Sequence, residues 1–543
     1  MESFKGTGRL ILLALRRDRI KLTIWAVAII GTMAAAVPAI KEVYGANQME
    51  LNQYAVTTAS SMVGRMLGGP IDGPQLGSVI MLEYFLFVAV LIAFMSSLAI
   101  VRHTRQNEEA GRSELIGSAP VGRNAMLSAA LAVVVGLNVL VAICLALVLS
   151  ANGLSTEGSV AMAIGLGGVG VVFAGVGAVS AQIIGTARGA NAVAGAIIGA
   201  AILVRGVGDS LGKTAEDGMS VASNWLSWLS PVGWGQQMHP FVTIDWSPVY
   251  LYLVSLVVLV IVAFWLASHR DHGMGMIAAR SGRAHAKASL LSSLGLAWRL
   301  QRGVVISWTI GVAVLGALLG LTAVEFKDLF MENEQVAAML QAMGRDAGSL
   351  TDVYFAAMMG MMGFVMAGFS LQAILRLQTE ESNGYLEGVL STGVSRLKWA
   401  MSHLTIVIVG LAVMGAVAGL STGISYALVA ENAWGEIGGL VIAGFVQIPA
   451  ILTLVALAVL VFGLLPRLMT PIVWGVFAAC LVIFQLGSIL KLPEWLIDIS
   501  PFTHTPVAPA DSIEGWPLLV MSVIAIALCS IGLALFRRRD SVA

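Results

Sequence analysis

The sequence predicts an all-α polytopic membrane protein built from two tandem six-helix halves, with both termini in the cytoplasm. Three observations carry this. Hydrophobic residues make up 58% of the 543-residue chain and charged residues 11%, against about 25% charged in a typical soluble domain. Such a composition cannot cover a water-exposed surface. Apolar runs long enough to span a bilayer, roughly 17–25 residues each, occur twelve times. The chain also repeats itself. Glu108, Gly111, Glu114, Ser118, Val121 and Arg123 recur as Glu381, Gly384, Glu387, Ser391, Val394 and Arg396, each 273 positions on. Trp225-Leu226, Ser230-Pro231 and Trp246 recur as Trp495-Leu496, Ser500-Pro501 and Trp516, each 270 positions on.

The twelve runs lie near 20–40, 79–101, 125–150, 159–184, 190–207, 248–268, 303–323, 354–376, 400–428, 437–463, 468–489 and 517–536. The second six match the first six in order. A repeat of about 20–50 residues would mark a solenoid; one near 270 marks domain-sized halves, a common construction in membrane transport proteins. The predicted organisation is a first half at 1–268, a cytoplasmic linker with a second interfacial helix at 269–302, and a second half at 303–543. Residues 22–40 and their lead-in could pass for a secretory leader, but the equivalent run at 303–323 lies mid-chain, so an uncleaved first span is expected. Orientation follows from Lys and Arg. With the N-terminus inside, the inward segments hold 24 of the 31 basic and only 10 of the 31 acidic residues. Cys144, Cys480 and Cys529 all fall inside apolar runs and read as packed thiols, not as a disulfide framework.

Each half opens with a basic, leucine-containing stretch, residues 6–21 and 284–302. It suits a helix lying in the cytoplasmic interface with its cations among lipid phosphates; simple positive-inside flanking accounts for the charges alone. The linker carries His269 and His272 at a spacing that a metal could use, but no third ligand lies near. Outward segments follow the first span of each half, 41–78 and 324–353, the second rich in acids (Glu325, Asp328, Glu332, Glu334, Asp346 and Asp352). Between the fifth and sixth spans of each half lie 208–247 and 490–516. Trp225, Ser230, Pro231 and their repeats Trp495, Ser500, Pro501 suggest short helices that dip into the outer leaflet and turn back. This outward cap is either a structural lid or an extracellular gate.

The most informative polar segments are the inward loops between the second and third spans of each half. The first reads Glu108-Glu109-Ala110-Gly111-Arg112-Ser113-Glu114-Leu115-Ile116 and closes at Arg123; the second reads Glu381-Ser382-Asn383-Gly384-Tyr385-Leu386-Glu387 and closes at Arg396. A connection that only joins two spans needs a few solvated residues. Helical spacing would put Glu108, Gly111 and Glu114 near one face, which predicts a short amphipathic helix offering an acidic surface to something cytoplasmic. The alternative is a solvated loop whose acids pair with local arginines.

An interfacial helix, six spans, an inward helix after the second and a re-entrant outward cap after the fifth resemble the half-transporter of type-2 ABC exporter permeases. Here the pattern occurs twice and covers essentially the whole chain. The run from Glu108 to Leu115 followed by Ala119-Pro120-Val121-Gly122-Arg123 is similar to tandem-fused actinobacterial permeases of the polyketide-antibiotic (tetronasin-type) and multidrug exporter group. The second copy departs at Gly393 and Ser395, where the first has Pro120 and Gly122, so the two inward surfaces need not be equivalent. The resemblance implies export of hydrophobic or amphiphilic compounds, antibiotics, drugs or lipids, across a bacterial cytoplasmic membrane. It also implies two copies of a separate ATPase subunit holding ATP and Mg, with coupling through Glu108, Glu109, Gly111, Arg112, Glu114, Arg123 and Glu381, Gly384, Tyr385, Glu387, Arg396.

No enzyme is expected in the chain itself. The segment Gly208-Asp209-Ser210-Leu211-Gly212-Lys213-Thr214 resembles a phosphate loop, but the required leading glycine is Val207 and no buried strand precedes it. Nothing points to nucleic acid. Ionisable residues within spans are scarce: Glu83 and Arg205, each near an outer span end, are either path residues or snorkelling ones. That scarcity weighs against the runner-up, an ion-coupled twelve-helix secondary transporter, which needs titratable relays. Met358, Met362 and Met366 on the eighth span fit either an adaptable drug-binding wall or a packed helix interface.

Overall fold

Long stretches of Ala, Leu, Ile, Val and Met with their breakers confined to the ends make uninterrupted helices, and a bilayer requires such helices because no water satisfies exposed backbone. The computed structural model describes residues 2–44, 47–271, 273–277, 285–331, 347–430, 433–486 and 493–539. Among them twelve helical segments are long and apolar enough to cross a membrane, and the chain divides into two compact units, Met1–Gly282 and Arg283–Ala543. Glu332, Glu334, Asp346, His272, the end of the eleventh span and residues 278–284 within the linker lie outside the described residues.

In the first unit the spans are Thr7–Tyr44, Leu76–His103, Ala125–Ala151, Thr156–Ile183, Ala187–Ser210 and Ser247–Ser268. The glycine-rich fourth span is central: a Cβ at Gly168 would lie 2.5 Å from the Tyr252 ring, and one at Gly170 would lie 1.9 Å from Asn138 Oδ1. Glycine there lets the neighbouring spans approach closely. In the second unit the spans are Ser293–Met331, Ala347–Ile374, Arg396–Val429, the pair Ile437–Val446 and Ile448–Leu464, then Met469–Leu486 and Gly515–Arg538. A Cβ on Gly532 would meet the Val459 carbonyl at 2.6 Å, so the twelfth span lies against the tenth backbone to backbone.

Two expectations are corrected. Among the described residues, no separate interfacial helix precedes the first or seventh span. Thr7–Tyr44 is one helix of 38 residues, about 57 Å at 1.5 Å per residue, because nothing between the basic stretch and the apolar run breaks it. In the second copy a short 3₁₀ turn, Ala288–Leu291, precedes the long helix that starts at Ser293. The tenth span, expected whole, is interrupted at Gln447: Pro449 sits in the first turn of Ile448–Leu464 and cannot donate a backbone N–H to the preceding turn.

Candidate functional site: the inward hairpins

The loop after each second span folds as two short helices and not as one. Arg105–Glu109 and Arg112–Gly117 flank Gly111, and Arg376–Ser382 and Tyr385–Leu390 flank Gly384. Both glycines adopt positive φ, +68° and +73°, a backbone that other residues rarely take. The repeated glycine therefore marks a bend, which corrects the one-helix expectation and separates the two repeated acids.

The first acid of each pair turns inward. Glu108 accepts from Arg270 Nη2 and Nη1, at 2.5 and 3.0 Å, and from Arg105 Nη1 at 2.7 Å. Glu381 accepts Arg539 Nη2 on both carboxylate oxygens at 2.7 Å. The Glu108 and Glu381 side chains are only 7% and 6% exposed, so these are sheltered ion pairs and not surface acids. Arg270 follows the sixth span and Arg539 follows the twelfth. The closing arginine of each loop returns to the same place. Arg123 donates to the carbonyls of Ala267 and Arg270 at 3.0 and 2.9 Å, and Arg396 donates to the carbonyl of Arg539.

The second acid of each pair faces outward. Glu114 and Glu387 are exposed, beside exposed Arg112 and Tyr385. Ser113 and Leu386, between them, are buried and seat the short helix. Glu109 accepts the Ala187 N–H at the start of the fifth span in the first unit; its counterpart is Ser382. An opening of about 580 Å³ lies between the first hairpin, the start of the third span and the end of the sixth, bordered by Glu108, Glu114, Arg123 and Arg270.

The outward caps also repeat. Trp225–Leu229 and Pro231–Gln236 break at Ser230, whose side chain caps the Val232 N–H, and Glu494–Ile497 and Pro501–His504 break at Ser500. Ser–Pro is an ordinary start for a helical turn, since Pro fits its first position. Trp225 and Trp495 are 65% and 67% exposed, as interfacial anchors would be.

The expected path residues fall elsewhere. Arg205 and Asp209 are fully buried and paired at 3.0 Å. Arg205 also donates to the Met66 carbonyl at 2.7 Å, and Asp209 accepts Ser223 and Ser227. Arg205 thus ties the outward segment after the first span to the cap. Glu83 is exposed and accepts the Tyr54 hydroxyl. Met362 and Met366 are fully buried in the core of the second unit, and Met358 packs partly buried beside Tyr354 and Phe355. Among them only Glu83 stands on an open surface.

Sequence reasoning missed Arg270 and Arg539. They recur 269 positions apart, but each sits in a basic flank that the positive-inside rule already explains.

Twelve apolar helices in two repeated units, with repeated inward hairpins and outward caps, define a multi-pass membrane permease. The chain is 35% identical over 537 residues, 99% of its own length and 95% of the other, to the multidrug efflux system permease protein Rv1217c of Mycobacterium tuberculosis. Residues 290–537 match a family model described as the C-terminal domain of multidrug efflux system permease Rv1217c. The chain belongs to this family of efflux permeases. It is accordingly a transport subunit of the cell membrane.

Proposed function

We propose that the chain is the membrane subunit of an ATP-driven exporter of the type-2 ABC kind, close to the tetronasin-type group. It would move hydrophobic or amphiphilic compounds, drugs among them, out of the cytoplasm or inner leaflet. The relative's name as a multidrug efflux permease supports the substrate class. Two copies of a separate ATPase would seat on the two hairpins, one under each.

One observation carries this reading. In two otherwise divergent halves the same short helix presents an exposed acid, Glu114 or Glu387, while the acid before it is sheltered in an ion pair. A connecting loop needs no such division, whereas a docking helix needs a rigid base and a charged outer face. ATP and Mg would belong to the partner, and this chain would supply the path, the outward caps and the docking surfaces. The two surfaces are not identical: beside the exposed acid, Arg112 in the first becomes Tyr385 in the second. A single ATPase sequence would therefore bind the two sides unequally.

The test is charge reversal. Like charges brought together across an interface cost several kcal/mol, so Glu114→Lys combined with Glu387→Lys should reduce dye efflux to background while the amount of chain in the membrane is unchanged. Normal efflux by that double variant would sink the docking assignment.

A further inference from the structure

We propose that Arg270 and Arg539 are positioning residues that clasp each inward hairpin to the end of the last span of its half. Movement of the hairpin is then delivered to a span that the chain does not join to it. The inference rests on the reading of the hairpins as surfaces that a motor displaces. Covalent connection alone would pass such a displacement only to the second and third spans, or to the eighth and ninth.

The geometry extends it further. In each half one residue after the last span is held twice: its guanidinium by Glu108 or Glu381, and its carbonyl by Arg123 or Arg396. Holding both side chain and backbone removes the freedom of that span end to swing against the hairpin. A second tie recurs at the inner end of the fourth span of each half. Arg105 donates to the Ala181 carbonyl at 2.9 Å, and Gln378, its counterpart, donates to the Pro466 carbonyl at 2.7 Å. The Arg539 guanidinium also lies over the rings of Phe462 and Phe536, 5.3 and 5.7 Å from their centroids, on the tenth and twelfth spans. A sheltered pair, bidentate at Glu108–Arg270, holds its geometry better than an exposed one.

The halves differ in one useful respect. Glu108 has two arginine partners, Arg105 and Arg270, but Glu381 has Arg539 and only the neutral Gln378 at the position of Arg105. A single substitution therefore removes the whole side-chain hold in the second half, leaving only the Arg396 bond to the Arg539 carbonyl.

The test compares Glu381→Arg, Arg539→Glu and both together in the full-length chain, purified with the ATPase that accompanies it. Hydrogen exchange without nucleotide reads the clasp. Removing one partner of a sheltered pair strands the other, so each single change should speed exchange over 376–391 and 530–538 by at least about 10-fold, and the double change should return it to within about 3-fold of the parent. Unchanged exchange in the single variants overturns the clasp, motor or no motor. Transport per ATP hydrolysed reads its purpose. Each single change should lower that ratio at least about 10-fold with the ATPase still bound, and the swap should restore it. An unchanged ratio in variants with fast exchange overturns the transmission role. So does loss of the ATPase from them, since the arginine would then only shape the docking surface. If the parent chain brings down no ATPase, the ATP-driven reading and the transmission role fail together, while the exchange data still decide the clasp.

Discussion

Ionisable residues near the outer face of the first unit take their meaning from partners that sequence alone does not place. Arg205 read as a possible path residue, because a cation in a span is functional by default. Its neighbours Asp209, Gln236 and the Met66 carbonyl make it a fastener between outward segments. His239 fastens the same region: its Nδ1 lies 2.6 Å from Asp72 Oδ1, joining the segment after the first span to the cap. That hydrogen bond, with the charges of Asp72 and Asp245, raises the imidazole pKa above its ordinary value despite partial burial. A raised value in the fold means that the contribution of the protonated ring is fully present below about pH 6.5 and fades as pH rises through the higher folded value. Amide exchange over 237–245 should therefore be at least about 3-fold faster above that value than at pH 6, beyond the chemical rate. His239→Gln should abolish the difference; an equal pH response in that variant would remove the fastener from the account.

Among elements, the hairpins show both what the sequence carried and what it did not. Twelve spans were legible because bilayer thickness fixes their length and apolar side chains mark them. The importance of the inward loop was legible because identity survives there between two divergent halves. Its internal geometry was not. Helical spacing put Glu108 near the face of Glu114, but the left-handed Gly111 bends the chain between them, and a glycine in sequence does not announce its φ. The long first helix was misjudged for a related reason: charge changes along Thr7–Tyr44 without any change of backbone. Gly384→Ala tests the bend. No atom lies within 4 Å of the added Cβ, so the cost is the backbone's alone, about 1–2 kcal/mol. Exchange of the hairpin amides should rise about 5- to 30-fold. Gly388→Ala, within the short helix and equally open, should not raise it, since Ala favours a helix by up to about 1 kcal/mol. Equal behaviour of the two variants would contradict the bend.

At the scale of the whole molecule, the duplication sets a repeated sheltered acid, Glu108 or Glu381, and a repeated exposed acid, Glu114 or Glu387, on each of two hairpins, with a tryptophan-bearing cap at the opposite span ends of each unit. Among the described residues, the repeated charged residues Glu108, Glu381, Arg123 and Arg396 all lie at the inner ends of spans and not at mid-membrane, where an ion-coupled carrier would need titratable relays. Under the proposed function the energy source lies in a partner polypeptide. Purification of the tagged chain from its own cells, in mild detergent, tests that most directly. The predicted result is a companion ATPase of about 30 kDa, the size of one domain of roughly 250 residues, at two copies per chain, with ATP hydrolysis present only when it is. A chain recovered alone that accumulates or expels substrate on an imposed proton gradient, indifferent to ATP, would contradict the account.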